Sequence, residues 1–199
     1  MSNLTDYDNL SFEQALIWQR STITPENGLN MDSRGWINRE ILINKCLNKN
    51  TLDVACGNGL CIDNGRPNKS KLSSNLYHGI DISPTLIEAA KHLYPNYNFD
   101  VGSCFELPYN NNTFDVAITS SLLEHLPDFS SVKKTVSEML RVSKEGVYLS
   151  WHHQPNKGNE NIRINKNTFY GTDSFSNQYN IDKFNEIYPI DKIVKFGNS

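Results

Sequence analysis

The sequence predicts an α/β fold built on a mostly parallel sheet, and three observations carry that expectation. From residue 50 onward apolar runs alternate with amphipathic helical stretches, which is the order of a sheet whose strands are joined by crossover helices. One run, TLDV, ends in the glycine-rich turn Ala55-Cys56-Gly57-Asn58-Gly59. A second, GID, again reaches an acid, Asp81, at its carboxyl end.

Each element has its own reason. In SFEQALIWQR, Ser11 is an N-cap with Glu13 shortly after it, and Phe12, Ala15, Leu16 and Ile17 recur at helical spacing, so a short helix is expected. Pro25 and Gly28 mark a loop, and Ile37, Ile41, Leu42 and Cys46 then line one face of a second helix starting near Ser33. After the first strand only Leu60, Cys61 and Ile62 are apolar before Gly65 and Pro67, so the first crossover helix is expected to be short or irregular. LYHGID, YNFDVG, FDVAITS and GVYLSW continue the strands. PTLIEAAKHL, with Pro84 in its first turn, and SSVKKTVSEMLRV, with Val132, Val136, Met139 and Leu140 in register, supply helices. The last twenty residues predict one more amphipathic helix and a strand over residues 192–196. Residues 1–48 thus form a helical segment expected to cover the site of a domain at 49–199, the whole being one globular unit. Trp18, Tyr7 and Trp36 fall in that first segment and are read as packing aromatics rather than a lid.

Composition narrows the function. The chain has 199 residues with a net charge of −3 and no basic stripe, so its field does not favour nucleic acid. No apolar stretch approaches the ~18 residues of a membrane helix, and the first residues lack a secretory pattern, so a cytoplasmic protein without membrane insertion is expected. Cys46, Cys56, Cys61 and Cys104 form no CxxC pair and are expected to be reduced thiols. No metal is expected, since the adjacent His152 and His153 would point to opposite sides of an extended segment.

The two strand tips carry the chemistry. Bare main chain at Gly57 and Gly59 lets a ligand approach closely, and a single carboxylate at Asp81 can accept bonds from both hydroxyls of a ribose diol, so an adenosine-type ligand is implied. A dinucleotide loop fits poorly. Counted from Gly57, the third glycine of GxGxxG would fall on Ile62.

Together LDVACGNG, GIDIS, VGSCFELPY and FDVAITSSLLEHLPD resemble the class I S-adenosylmethionine-dependent methyltransferases, in particular the UbiE-type and type 11 methyltransferase domains. The resemblance spans about residues 50 to 150. It implies a Rossmann-like sandwich of six or seven strands with helices on both faces, the last strand antiparallel, and S-adenosyl-L-methionine across the strand ends. By it, Asp53, Ala55, Gly57 and Gly59 line the methionine and ribose, Asp81 takes the ribose hydroxyls, and Ile82 lies against adenine. Ser103, Cys104 and Phe105 meet the adenine edge, with Ser103 where the family usually has Asp. Beyond the fourth and fifth strands, His125 and His152 are candidate proton acceptors facing a small-molecule methyl acceptor. The expected activity is methyl transfer to an oxygen, nitrogen or carbon nucleophile. The alternative is a catalytically inactive cofactor- or nucleoside-binding module, suggested by Ser103 and by the weak helix after Gly59.

Overall fold

The computed structural model describes residues 9–18, 34–63 and 71–150, and beyond them the strands at 163–169, 172–178 and 193–195. Strands β1 (Thr51–Val54), β2 (Tyr77–Asp81), β3 (Asn98–Val101), β4 (Phe114–Ser120) and β5 (Ser143–Ser150) alternate with helices α1 (Phe12–Ile17), α2 (Arg34–Cys46), α3 (Leu60–Asp63), α4 (Pro84–Leu93) and α5 (Phe129–Val142). Then come β6 (Arg163–Phe169) and β7 (Thr172–Gln178), which pair only with each other, and β8 (Ile193–Lys195). The sheet has the order β3-β2-β1-β4-β5-β8, and every pairing in it is parallel.

One expectation needs correcting. The resemblance implied an antiparallel last strand, whereas β8 pairs in parallel with β5, Val147 opposite Ile193 and Leu149 opposite Lys195. A parallel neighbour requires a connection of a dozen or more residues back to the amino edge, and residues 151–192 supply that length. The antiparallel pairing the chain does make, β6 with β7, stays outside the sheet.

The strand order places a topological switch between β1 and β4, because the chain builds outward through β2 and β3 on one side and through β5 and β8 on the other. In such sheets the crevice at the carboxyl ends of the two switch strands is where ligands bind. That crevice is bordered here by the loop after Val54 and the turn after Ser120.

Side-chain alternation settles the two faces. Leu52, Val54, Ile80, Ala117, Val147 and Leu149 pack with Val132, Val136 and Met139 of α5. Val116, Ile118, Tyr77 and Phe99 pack on the other face with Ile43 of α2, Ile62 of α3 and Ile87 and Ala90 of α4. Of the N-terminal segment, α2 is therefore one of the helices that flank the sheet. Only α1 lies elsewhere: its Ala15 is wholly buried against Leu86 and Ala89 of α4. The α1 cap is reciprocal. Ser11 Oγ accepts from the Gln14 amide at 3.2 Å and Gln14 Oε1 accepts from the Ser11 amide at 2.8 Å, so the box partner is Gln14 rather than Glu13.

Candidate active site

The loop after β1 is folded by left-handed residues. Ala55, Gly57 and Gly59 have φ of 61°, 56° and 85°, which curls the chain so that the Cys56 amide donates to the Ile80 carbonyl at 3.1 Å and the Gly59 amide to the Cys56 carbonyl at 3.0 Å. Space as well as φ demands glycine at two of these positions. A Cβ at 57 would lie 2.7 Å from the Trp18 ring, and one at 59 would lie 2.9 Å from the Tyr94 ring. Ala55 adopts the same region with a methyl group, a strained arrangement that the surrounding bonds impose.

Asp81 joins this loop to β2. Its Oδ2 accepts from the Gly57 amide at 2.8 Å and its Oδ1 from the Ser83 amide at 2.9 Å. The group is 8% exposed. A carboxylate has about four acceptor positions, so two amides fix its plane without exhausting it. The next residue, Ile82, is 52% exposed, and Val101, the β3 partner of Asp81, is 50% exposed. Two large apolar side chains are thus left open next to a buried acid, one following it in the chain and one paired with it on β3.

Asp53 lies beneath the loop, 1% exposed, on the face that carries Tyr77. The Tyr77 hydroxyl donates to its Oδ2 at 2.7 Å, while no N–H or O–H donor among the described residues reaches Oδ1. Burial pushes its pKa up to about 6, against the partial opposition of the Tyr77 bond. The same burial drives the Cys56 and Cys61 thiols far above their usual range and Cys46 up to about 12. All three are protonated and unreactive, as free buried cysteines.

After β3, Ser103 Oγ accepts from the Phe105 amide at 3.2 Å, so the hydroxyl expected at the adenine edge is engaged with its own loop. The side chain of Cys104 turns to α5, where Thr135 Oγ1 donates to its Sγ at 3.5 Å. Phe105 packs on the core edge with Lys134 Nζ 5.7 Å from its ring centroid.

His125 ends a single 3-10 turn, Leu123–His125, just past β4. Ser121 before it is left-handed at φ 61°, and the Thr119 hydroxyl is wholly buried without a partner among the described residues. The backbone of β7 runs alongside this turn, bringing the hairpin to the carboxyl edge of the sheet. His152 lies outside the described residues, as do Tyr7 and the side chain of Trp36.

The sequence reading missed two residues that the fold brings to the site, Val101 and Asn58, and it took Trp18 as a packing aromatic, whose ring in fact lies against Gly57 of the loop. The Asn58 carboxamide donates to the carbonyls of Ala15 at 2.8 Å and Trp18 at 3.1 Å. An asparagine between two glycines, with an aromatic just past a short capped helix, was the available signal.

Residues 52–150 match a family model described as a methyltransferase domain. The chain belongs to the class I S-adenosylmethionine-dependent methyltransferases. Within that family it is 34% identical over 116 residues to norajmaline N-methyltransferase of Rauvolfia serpentina, covering 53% of this chain and 37% of that protein. It is 31% identical over 105 residues to the ubiquinone/menaquinone biosynthesis C-methyltransferase UbiE of Rickettsia bellii, covering 49% and 41%. This chain therefore aligns with about two fifths of the length of these curated relatives. A solved S-adenosylmethionine-dependent methyltransferase from Methanosarcina mazei shares the fold, with a TM-score of 0.51 at 20% identity over 72% of this chain and 79% of that one. Among the described residues, no helix is long and apolar enough to cross a membrane.

Proposed function

We propose that this methyltransferase moves the methyl group of S-adenosylmethionine to an oxygen, nitrogen or carbon nucleophile of a small molecule by direct in-line displacement. The observation that carries the reading is the Gly57 amide to Asp81 bond at 2.8 Å, which locks the bare loop and the acid of the next strand into one cradle. That cradle fits the cofactor. Asp81 holds the ribose hydroxyls, Ile82 and Val101 flank the adenine, and Gly57 and Gly59 admit the amino-acid portion against main chain.

When bound, the cofactor supplies a methyl group already activated by its positive sulfur. The protein's part is to align the acceptor and exclude water, so no covalent enzyme intermediate is needed. For an oxygen acceptor a proton must leave; His125, on the turn beyond β4, and His152, beyond β5, are the residues assigned to take it. The names of the relatives, a norajmaline N-methyltransferase and a ubiquinone/menaquinone biosynthesis C-methyltransferase, support small organic acceptors. Residues 1–48 contribute the cover through α1.

The test incubates the protein with S-adenosylmethionine and a panel of amines, phenols and quinols, following thermal protection and S-adenosylhomocysteine release. Protection with release for at least one acceptor supports the proposal. Protection without release under the whole panel favours the binding-module alternative, and absence of protection removes the cofactor assignment itself.

A further inference from the structure

We propose that Asn58 is a positioning residue that ties occupancy of the cofactor site to the docking of α1, so that the glycine-rich loop and the N-terminal helix bind cofactor as one unit. The inference rests on the assignment of the 53–59 loop and Asp81 as the cofactor cradle.

Asn58 stands between the two glycines of the loop and is wholly buried. Its Nδ2 donates to the carbonyls of Ala15 and Trp18 at the carboxyl end of α1, where the Ala15 carbonyl also accepts from the Trp18 cap amide. One residue earlier the loop reaches the other way: the Gly57 amide is held by Asp81, and the Trp18 ring lies where a Cβ on Gly57 would be. Two successive residues therefore grip the ribose-binding acid on one side and α1 on the other. A change in the left-handed angles at 57 or 59 that loosened one grip would displace the other.

The rest of the α1 anchorage is apolar packing, to which Leu10, Leu16 and Trp18 also contribute. Ala15, Leu86 and Ala89 are its buried members, and Phe12 meets the His92 ring edge-on with centroids 5.7 Å apart. A six-residue helix is too short to stand alone, so its docking depends on this packing together with the two hydrogen bonds. Asn58 Oδ1, meanwhile, is buried without a partner among the described residues, so the carboxamide is left half-satisfied until a donor arrives at the loop. Coupling of this kind is reciprocal: whatever cofactor adds to the docking of α1, docked α1 returns as cofactor affinity.

Amide hydrogen exchange over residues 12–18, with and without S-adenosylhomocysteine, tests the coupling in the full chain. In the wild type the ligand should slow exchange there about tenfold. Asn58→Asp keeps the side-chain shape but turns an acceptor toward two carbonyls. It should abolish that slowing and weaken S-adenosylhomocysteine about tenfold. Bound ligand with unchanged exchange at 12–18 in the wild type would overturn the inference, as would a folded Asn58→Asp protein of wild-type affinity. If Asn58→Asp does not fold, the wild-type exchange measurement decides alone. A wild type that does not bind S-adenosylhomocysteine takes down the cradle assignment as well, which separates that failure from a failure of the latch.

Discussion

Replacing Asp81 by Ala should do two measurable things at once, and the structure separates them. The carboxylate accepts two nearly buried backbone amides, from Gly57 and Ser83, and its loss leaves both donors without it. At about 1.5 kcal/mol for each charge-assisted bond, the folded state should lose about 3 kcal/mol, read as a lower urea midpoint with an unchanged slope. In the protein that remains folded, the ribose diol also loses its acceptor, costing about 2 to 4 kcal/mol of affinity, or roughly 30-fold or more in the dissociation constant. Calorimetric titration with S-adenosylhomocysteine reads that second effect directly. Asp81→Asn, which keeps one carbonyl acceptor, should fall between the two. A folded Asp81→Ala protein with an unaltered dissociation constant would show that the acid does not hold the ribose. A protein of unaltered stability would show that the Gly57 bond does not hold the loop.

Further outcomes are expected. Ala55→Gly relieves a left-handed alanine at φ 61° and should raise the melting temperature by about 2 to 4 °C, for roughly 1 kcal/mol gained; scanning calorimetry showing no rise counts against strain at that position. Asp53 is raised to about 6 from the ordinary 3.8, so between those values the native state holds more proton than the unfolded chain. Stability due to this group therefore falls as pH climbs from about 4 to about 6, by roughly 3 kcal/mol. Asp53→Asn still accepts from Tyr77 and should lack that fall, so wild-type and variant curves that stay parallel across the window would reject the assignment. Gly79→Ala drives a Cβ to 2.7 Å from both Cys56 Sγ and the Phe99 ring and should cost about 1 to 3 kcal/mol in urea unfolding, an unmoved midpoint being the contrary result.

What the sequence made legible was the pair of neighbouring strand tips at β1 and β2. TLDV and GID are apolar runs that stop at glycine, serine and acid, and strand ends of that kind announce themselves because main chain must turn there. The stretch after Gly59 was read as a short or irregular helix; α3 is described over Leu60–Asp63, and residues 64–70, with Gly65 and Pro67, lie outside the described residues. The β6–β7 hairpin escaped because its strands carry Asn, Lys and Ser where a half-buried strand would show apolar alternation. β5 begins at Ser143, directly at the end of α5, rather than at the apolar GVYLSW run, because the pairing of Phe114 with Ser143 extends the ladder past a register shift. Asn58 was invisible in its role for another reason: its partners lie some forty residues away, and no local pattern encodes a helix end arriving from that distance.

The long crossover between β5 and β8 has a consequence for how such an enzyme could change its taste in acceptors. It departs from the carboxyl edge of the sheet and re-enters at the amino edge, since β8 runs parallel to β5. Lengthening a connection of this size adds only about 0.6 kcal/mol of closure entropy per doubling. The hairpin within it can therefore be resized or rewritten while the strands, the glycine turn and Asp81 stay as they are, bringing new neighbours to the Leu123–His125 turn without disturbing the cradle.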